Sequence, residues 1–114
     1  GTSHSEAVAI DTLWDWMSGE SNASRMIGFV GAHYSSVSMP VASLAGVREL
    51  PQISHASTNP LLSNKAQYPF FMRTISSDHF TGAGMWLWMK EFNVPSVAFT
   101  YTEEPYGTGL FQVV

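Results

Sequence analysis

Gly28-Phe-Val-Gly-Ala-His-Tyr-Ser-Ser-Val-Ser-Met-Pro-Val-Ala42, followed after one more helical turn or two by Leu50-Pro-Gln-Ile-Ser-His-Ala-Ser-Thr58, is the stretch whose reading decides the fold. It reads as a strand, a Gly/Ser-rich turn opening a helix, a second strand and a second hydroxyl-rich turn. At neighbouring strand ends of an α/β sheet, two such turns aim hydroxyls and free helix N–H groups into one crevice. A small polar or anionic ligand is what such a crevice holds.

The pattern extends in both directions. Val37, Val41, Leu44 and Val47 mark one helix face, in which Pro40 is tolerated only if it lies in the first turn. Upstream, residues 3 to 18 read as an amphipathic helix: Ser3-His-Ser-Glu6 has capping-box spacing, Ile10, Leu13, Trp14 and Met17 share a face, and Gly19 is a stop. The polar loop to Arg25 contains Asn22-Ala-Ser24, a glycosylation sequon that matters in a secreted protein and is equally a chance match in a Ser- and Asn-rich loop.

Downstream, Phe70 to Ile75 is a third extended run, and Ser76-Ser-Asp78 is a helix-start signal for residues 79 to 92. Thr81, Met85, Trp88, Met89 and Phe92 form a helical stripe that reads as core. Ser96 to Thr102 reads as a fourth strand, Glu103 to Gly107 as a turn with a solvated acidic pair, and Thr108 to Val114 as the start of a last helix. Strands alternating with helices mean βαβ units and a mostly parallel sheet. A chain that stops a few residues into its last element is expected to be a segment of something larger, exposing sheet edges and apolar helix faces when alone.

Composition narrows the function. The 114 residues are 45% hydrophobic and 13% aromatic, enough for a packed core, and the net charge is −4. Five scattered Lys and Arg residues make no basic patch, so nucleic acid is not an expected partner. No cysteine is present, hence no disulfide framework and no thiolate metal site. His33, His55 and His79 follow strand ends but lack the short paired spacing of a zinc site, so no metal is expected; no cofactor motif occurs either. No apolar run is long enough to span a bilayer, and this segment itself is not expected to touch the membrane. Hydrolase, phosphate-loop and zinc-protease motifs are missing, and a Ser/His/Asp hydrolase would have to assemble Ser35 or Ser36, a histidine and Asp78 through the fold alone. The chain is not expected to be an enzyme.

Gly28-x-x-Gly31, Ser35-Ser-Val37, Pro51-Gln-Ile-Ser-His-Ala-Ser-Thr-Asn-Pro60, Leu62-Ser-Asn-Lys65, Tyr68-Pro-Phe-Phe-Met-Arg-Thr74, Ser77-Asp78 and Tyr106-Gly107 together resemble the extracellular ligand-binding region of class C G-protein-coupled receptors, nearest to the metabotropic glutamate and calcium-sensing types. More broadly the chain is similar to type I periplasmic binding proteins. The resemblance implies part of a two-lobed clamshell: residues 1–76 in lobe one, and residues 77–114 as the crossover and first βαβ unit of lobe two.

The resemblance also implies site roles. Ser35, with Ser36 beside it, and Thr58, within the turn Ala56-Ser57-Thr58, match positions that hold a ligand α-carboxylate; Asp78 and Tyr106 match positions that hold its ammonium. An anion and an aromatic face suit an ammonium. Two departures from the pattern are Ala32-His33-Tyr34, bulkier than the usual Gly-Pro-Gly or Gly-Ser, and Ala56, where glutamate-binding receptors carry a hydroxyl. Plainer readings stand beside these: Ser35 and Ser36 as helix caps, Thr58 as a turn hydroxyl, Asp78 as an N-cap and Tyr106 as a turn residue. The implied function is a receptor segment at the extracellular side of the cell membrane that binds an amino acid such as glutamate and signals by closure. Its implied partners are the ligand, the rest of the receptor and a second copy; the alternative is a solute-binding protein feeding a transporter.

Overall fold

The structure, a computed structural model, describes residues 6–18 and 26–114. The expected capping box at Ser3, the stop at Gly19, the loop to Arg25 and the sequon at Asn22 lie outside the described residues.

Helix α1 runs Glu6–Met17, with the Glu6 carboxylate in the first turn where the helix dipole favours an anion. Its inner stripe is Ala9, Ile10, Leu13 and Met17. Trp14, expected on that face, is 52% exposed. It stands one residue from Leu13, about 100° round the helix, at the stripe's edge.

Strand β1 is Phe29–Val30, helix α2 Ser35–Val47, strand β2 Gln52–Ser54 and strand β3 Phe71–Arg73, with a 3-10 turn at Pro60–Ser63. The three strands form one sheet in the order β1-β2-β3, all parallel, with Phe29 opposite Gln52 and Ser54 opposite Arg73. Helix α2 is the crossover between β1 and β2, as a parallel pair requires. It packs two ways. Val37, Val41 and Ala45 join Leu13 and Leu50 in one buried cluster, while Ala42 joins Leu62, Tyr68 and Phe71 in another. This is the expected α/β architecture, a parallel sheet flanked by helices.

Further local expectations are corrected. Pro40 is the sixth residue of α2, one turn deeper than expected. The helix begins at Ser35, and burial on both sides of α2 outweighs the single hydrogen bond that proline removes. Ser96 to Thr102 forms no ladder among the described residues. Its neighbour is a helix rather than a strand: Tyr101 stacks on Phe111 at 4.3 Å and Phe99 lies 6.0 Å from the same ring. A helix face offers side chains but no backbone partners.

Helix α3 spans Asp78–Glu91, and its expected core stripe is largely outside: Trp88 and Phe92 are more than half exposed and Thr81 is exposed, with Met85 and Met89 half-buried. The buried face is made instead by Gly82, where an added Cβ would fall 2.6 Å from the Val113 carbonyl oxygen of helix α4, Pro105–Val113. Glu104 caps α4, its carboxylate accepting from the amides of Tyr106 and Gly107 at 3.0 and 2.8 Å. The expected acidic turn is thus a helix start. Among the described residues no helix is long and apolar enough to cross a membrane.

Candidate ligand-binding site

The carboxyl ends of β1 and β2 are tied by a buried hydroxyl network. Gly31 ends β1 with φ 141°, a left-handed backbone that favours glycine, and its carbonyl accepts from Gln52 Nε2 at 2.8 Å. The Ala32 carbonyl accepts from Ser54 Oγ at 2.7 Å and from Ser57 Oγ at 3.1 Å. Ser57 Oγ also reaches Ser38 Oγ at 2.7 Å and the His33 carbonyl at 3.2 Å. Ser38, Ser54 and Ser57 are fully buried. The buried hydroxyls are all hydrogen-bonded and make a stiff join, although the adjoining Gln52 Oε1 is buried without a partner among the described residues.

Arg73, at the end of β3, fixes the second turn from below. Its Nη1 donates to the carbonyls of Ser57 and Asn59, both at 3.0 Å, and its Nη2 donates to Ser63 Oγ. Burial pulls the guanidinium below its ordinary value, and the charge of Asp78 opposes that shift. Asn59 Oδ1 accepts from the Leu61 amide, and its Nδ2 donates to the Pro105 carbonyl at the start of α4.

Of the candidate residues, Ser35 is buried at the first position of α2, and its Oγ accepts from the Asn59 amide at 3.3 Å. Its own hydroxyl proton remains for another acceptor. Ser36 is half-buried in the same first turn, where the Val37 and Ser38 amides donate back to the Tyr34 carbonyl at 3.1 and 2.9 Å. Ala56 is half-buried, its amide donating to Ser54 Oγ. Ser57 binds protein on every side. Thr58 Oγ1 donates to Asp78 Oδ2 at 2.9 Å, and the Asp78 amide returns a bond to the Thr58 carbonyl at 2.9 Å.

Asp78 is 3% exposed. Burial raises its carboxyl above the ordinary value, while the Thr58 hydrogen bond and the nearby Arg73 charge act the other way. Ser77, not Asp78, caps α3, through a bond from the His79 amide. The plain capping reading of Asp78 therefore does not describe its carboxylate, which faces Thr58. Tyr106 is 47% exposed in the first turn of α4 and lines a cavity of ≈ 420 Å³ with Tyr101, Thr102 and Leu110. None of the other candidates lines that cavity. The Asn59 bond to the Pro105 carbonyl ties the start of α4, which carries Tyr106, to the loop that carries Thr58.

Ser35, Ser57, Thr58 and Asp78 are thus linked through Asn59 and Thr58, with Ser36 and Ala56 flanking and Tyr106 one residue beyond the link. Among the described residues no hydrogen bond joins the side chain of Ser35, Ser36 or Asp78 to a histidine ring: Ser35 Oγ accepts from Asn59, Asp78 accepts from Thr58, and His33 faces His55 at 3.3 Å. Arg73, Asn59 and Gln52 carry the site's geometry without having been assigned a role from sequence. All three lie within the motifs quoted above, and that is the sequence signal for them.

The strand ends of β1 and β2 thus carry interlocked hydroxyl turns, the second of which is bonded to the buried Asp78 carboxylate. The chain belongs to the family described as receptor family ligand binding region, which it matches over residues 2–114. It is 39% identical over 88 residues to the metabotropic glutamate receptor of Drosophila melanogaster, covering 75% of this chain and 9% of that protein. It is 37% identical over 83 residues to metabotropic glutamate receptor 4 of Macaca fascicularis, covering 73% and 9% respectively. Over 61 residues, 54% of the chain and 7% of the relative, it is 44% identical to metabotropic glutamate receptor 4 of Rattus norvegicus. The chain is a class C G-protein-coupled receptor type of ligand-binding region, and it spans under a tenth of these relatives' length.

Proposed function

We propose that this chain is part of the extracellular ligand-binding region of a membrane receptor, and that its site holds a zwitterionic α-amino acid such as glutamate. The observation that carries the reading is the Thr58 to Asp78 hydrogen bond, which sets a hydroxyl donor and a buried carboxylate 2.9 Å apart. An α-amino acid presents a carboxylate and an ammonium separated by one carbon. On binding, the ammonium takes over Asp78, and Thr58 turns its proton to the ligand carboxylate beside the Ser35 hydroxyl and the first turn of α2. Tyr106 covers the ammonium with its ring.

In this reading residues 1–76 belong to one lobe and 77–114 open the second. Ligand contacts to both favour closure, since a ligand shifts a conformational equilibrium only through differential contacts. The remaining receptor chain and a second copy are the partners, at the outer side of the cell membrane, and the outcome is a signal rather than a chemical conversion.

The test is calorimetric titration of the full-length protein with glutamate and the other common amino acids, against Thr58→Ala and Asp78→Asn. Loss of a charge-assisted hydrogen bond should weaken binding by roughly tenfold to hundredfold in each variant. Saturable binding unchanged in both variants would remove the reading.

A further inference from the structure

We infer that His33 and His55 form a two-imidazole site for a borderline divalent transition-metal ion, with Zn²⁺ as the representative, seated between the turns that follow β1 and β2. The two residues are 22 apart in sequence, yet His33 Nδ1 and His55 Nε2 lie 3.3 Å apart, with ring centroids at 5.4 Å and planes tilted by 53°. Zinc binds imidazole nitrogen at about 2.0–2.1 Å with tetrahedral angles, which sets two nitrogens on one ion about 3.3 Å apart. The observed separation already matches.

Both rings are exposed, so an ion and its remaining waters have access. The backbone beneath them is not free to drift. The His33 carbonyl is held by Ser57 Oγ at 3.2 Å, and His55 directly follows Ser54, whose Oγ is bonded to the Ala32 carbonyl. The Tyr34 ring packs edge-on against His33 at 4.8 Å. Binding therefore orders little, and a preorganised pair gains affinity for that reason.

In the hydrogen-bonded pair one proton lies between the facing nitrogens, on one ring or the other according to the tautomer. The ion takes that place: the two facing nitrogens present lone pairs, and the bridging proton moves through solvent to the outer nitrogen of its own ring, Nε2 of His33 or Nδ1 of His55. Neutral imidazoles then ligate with no net loss of protons. Among the described residues no group of three His, Cys, Asp or Glu gathers, so water completes the tetrahedron. Imidazole suits Zn²⁺ and Cu²⁺, whereas Ca²⁺ and Mg²⁺ require oxygen donors. The inference does not depend on the amino-acid reading, because the rings contribute nothing to that site's hydrogen bonds.

Zinc chloride titrated calorimetrically into the full-length protein at neutral pH, without amino acid, tests the site. One equivalent should be lost, or weakened by at least about tenfold, in both His33→Ala and His55→Ala and retained in His79→Ala, whose ring packs on Phe80. Magnesium chloride should give no equivalent sensitive to these substitutions. As a readout independent of variant folding, zinc should shield His33 and His55, but not His79, from diethylpyrocarbonate in the wild-type protein, read by mass spectrometry. Zinc stoichiometry identical in all three variants, or equal labelling of His33 and His55 with and without zinc, overturns the inference.

Discussion

Residues 26–74 and 79–114 hold themselves together by different means. The first region buries Val37, Val41, Leu50, Leu62, Tyr68 and Phe71, along with a set of serines. In the second, the buried positions are Gly82, Gly107 and Gly109, while Phe80, Trp86, Trp88 and Phe92 are each more than half exposed. Side-chain volume fixes one region, and close backbone approach fixes the other. Hydrophobic content alone does not reveal which regime a segment occupies, because the two segments look equally apolar in sequence.

The sharpest way to break this contrast is to remove one phenylalanine from each region. Phe71→Ala should cost about 3–5 kcal/mol by equilibrium urea unfolding, as a well-packed core aromatic does. Phe80→Ala, at a ring 70% exposed, should change stability by less than about 0.5 kcal/mol. Similar losses for both would erase the distinction.

A smaller effect sharpens the second half of the comparison. A Cβ on Gly109 would fall 2.8 Å from Asn59 Nδ2 and 3.1 Å from Pro60 Cδ, and Asn59 is held at both ends of its amide. Gly109→Ala should cost roughly 1–3 kcal/mol and speed hydrogen exchange of the α4 amides. Gly84, inside α3 with nothing within 4 Å of its added Cβ, should gain roughly 0.5–1 kcal/mol as alanine. The opposite order would mean that α4 is held by something other than that contact.

The smallest effect concerns the residue where the two regions meet. Because burial leaves the Asp78 carboxyl above its ordinary value, the folded chain binds its proton more tightly than the unfolded chain does. Stability should therefore fall as pH rises from the ordinary carboxylate range to the raised value, and stay level above it. Asp78→Asn keeps an acceptor for Thr58 and carries no charge, so its melting temperature should not show that decline. Thermal melts of both proteins across the acidic range check the sign; a wild type that gains stability relative to the variant across that range contradicts it.

The periodic elements α1, α2 and α3 and the strand cores were legible because apolar spacing and Ser/Asp starts are local signals. So was the pairing of hydroxyl turns at Ser35 and Thr58, since Ser and Thr at strand ends carry their chemistry in their type. What could not be read was tertiary. Ser96 to Thr102 has strand composition, yet a strand exists only beside another. The exposure of Trp88 and Phe92 depends on what packs against α3. Arg73 finds acceptors 16 and 14 residues away, and His33 meets His55 across 22, spacings no motif encodes.

Arg73 also bears on how this chain tolerates change. One planar guanidinium serves two carbonyls and a hydroxyl on a single loop, and among the described residues no second side chain duplicates it in those bonds. A lysine brings the same charge as a single ammonium point, unable to span that fork. The exchange of arginine for lysine, ordinarily the mildest among basic residues, is therefore closed here. At Lys90, whose ammonium rests 5.2 Å above the Trp86 ring, the reverse exchange is open, because a guanidinium stacks on an indole at least as well. Two cations of equal charge thus have opposite mutational latitude.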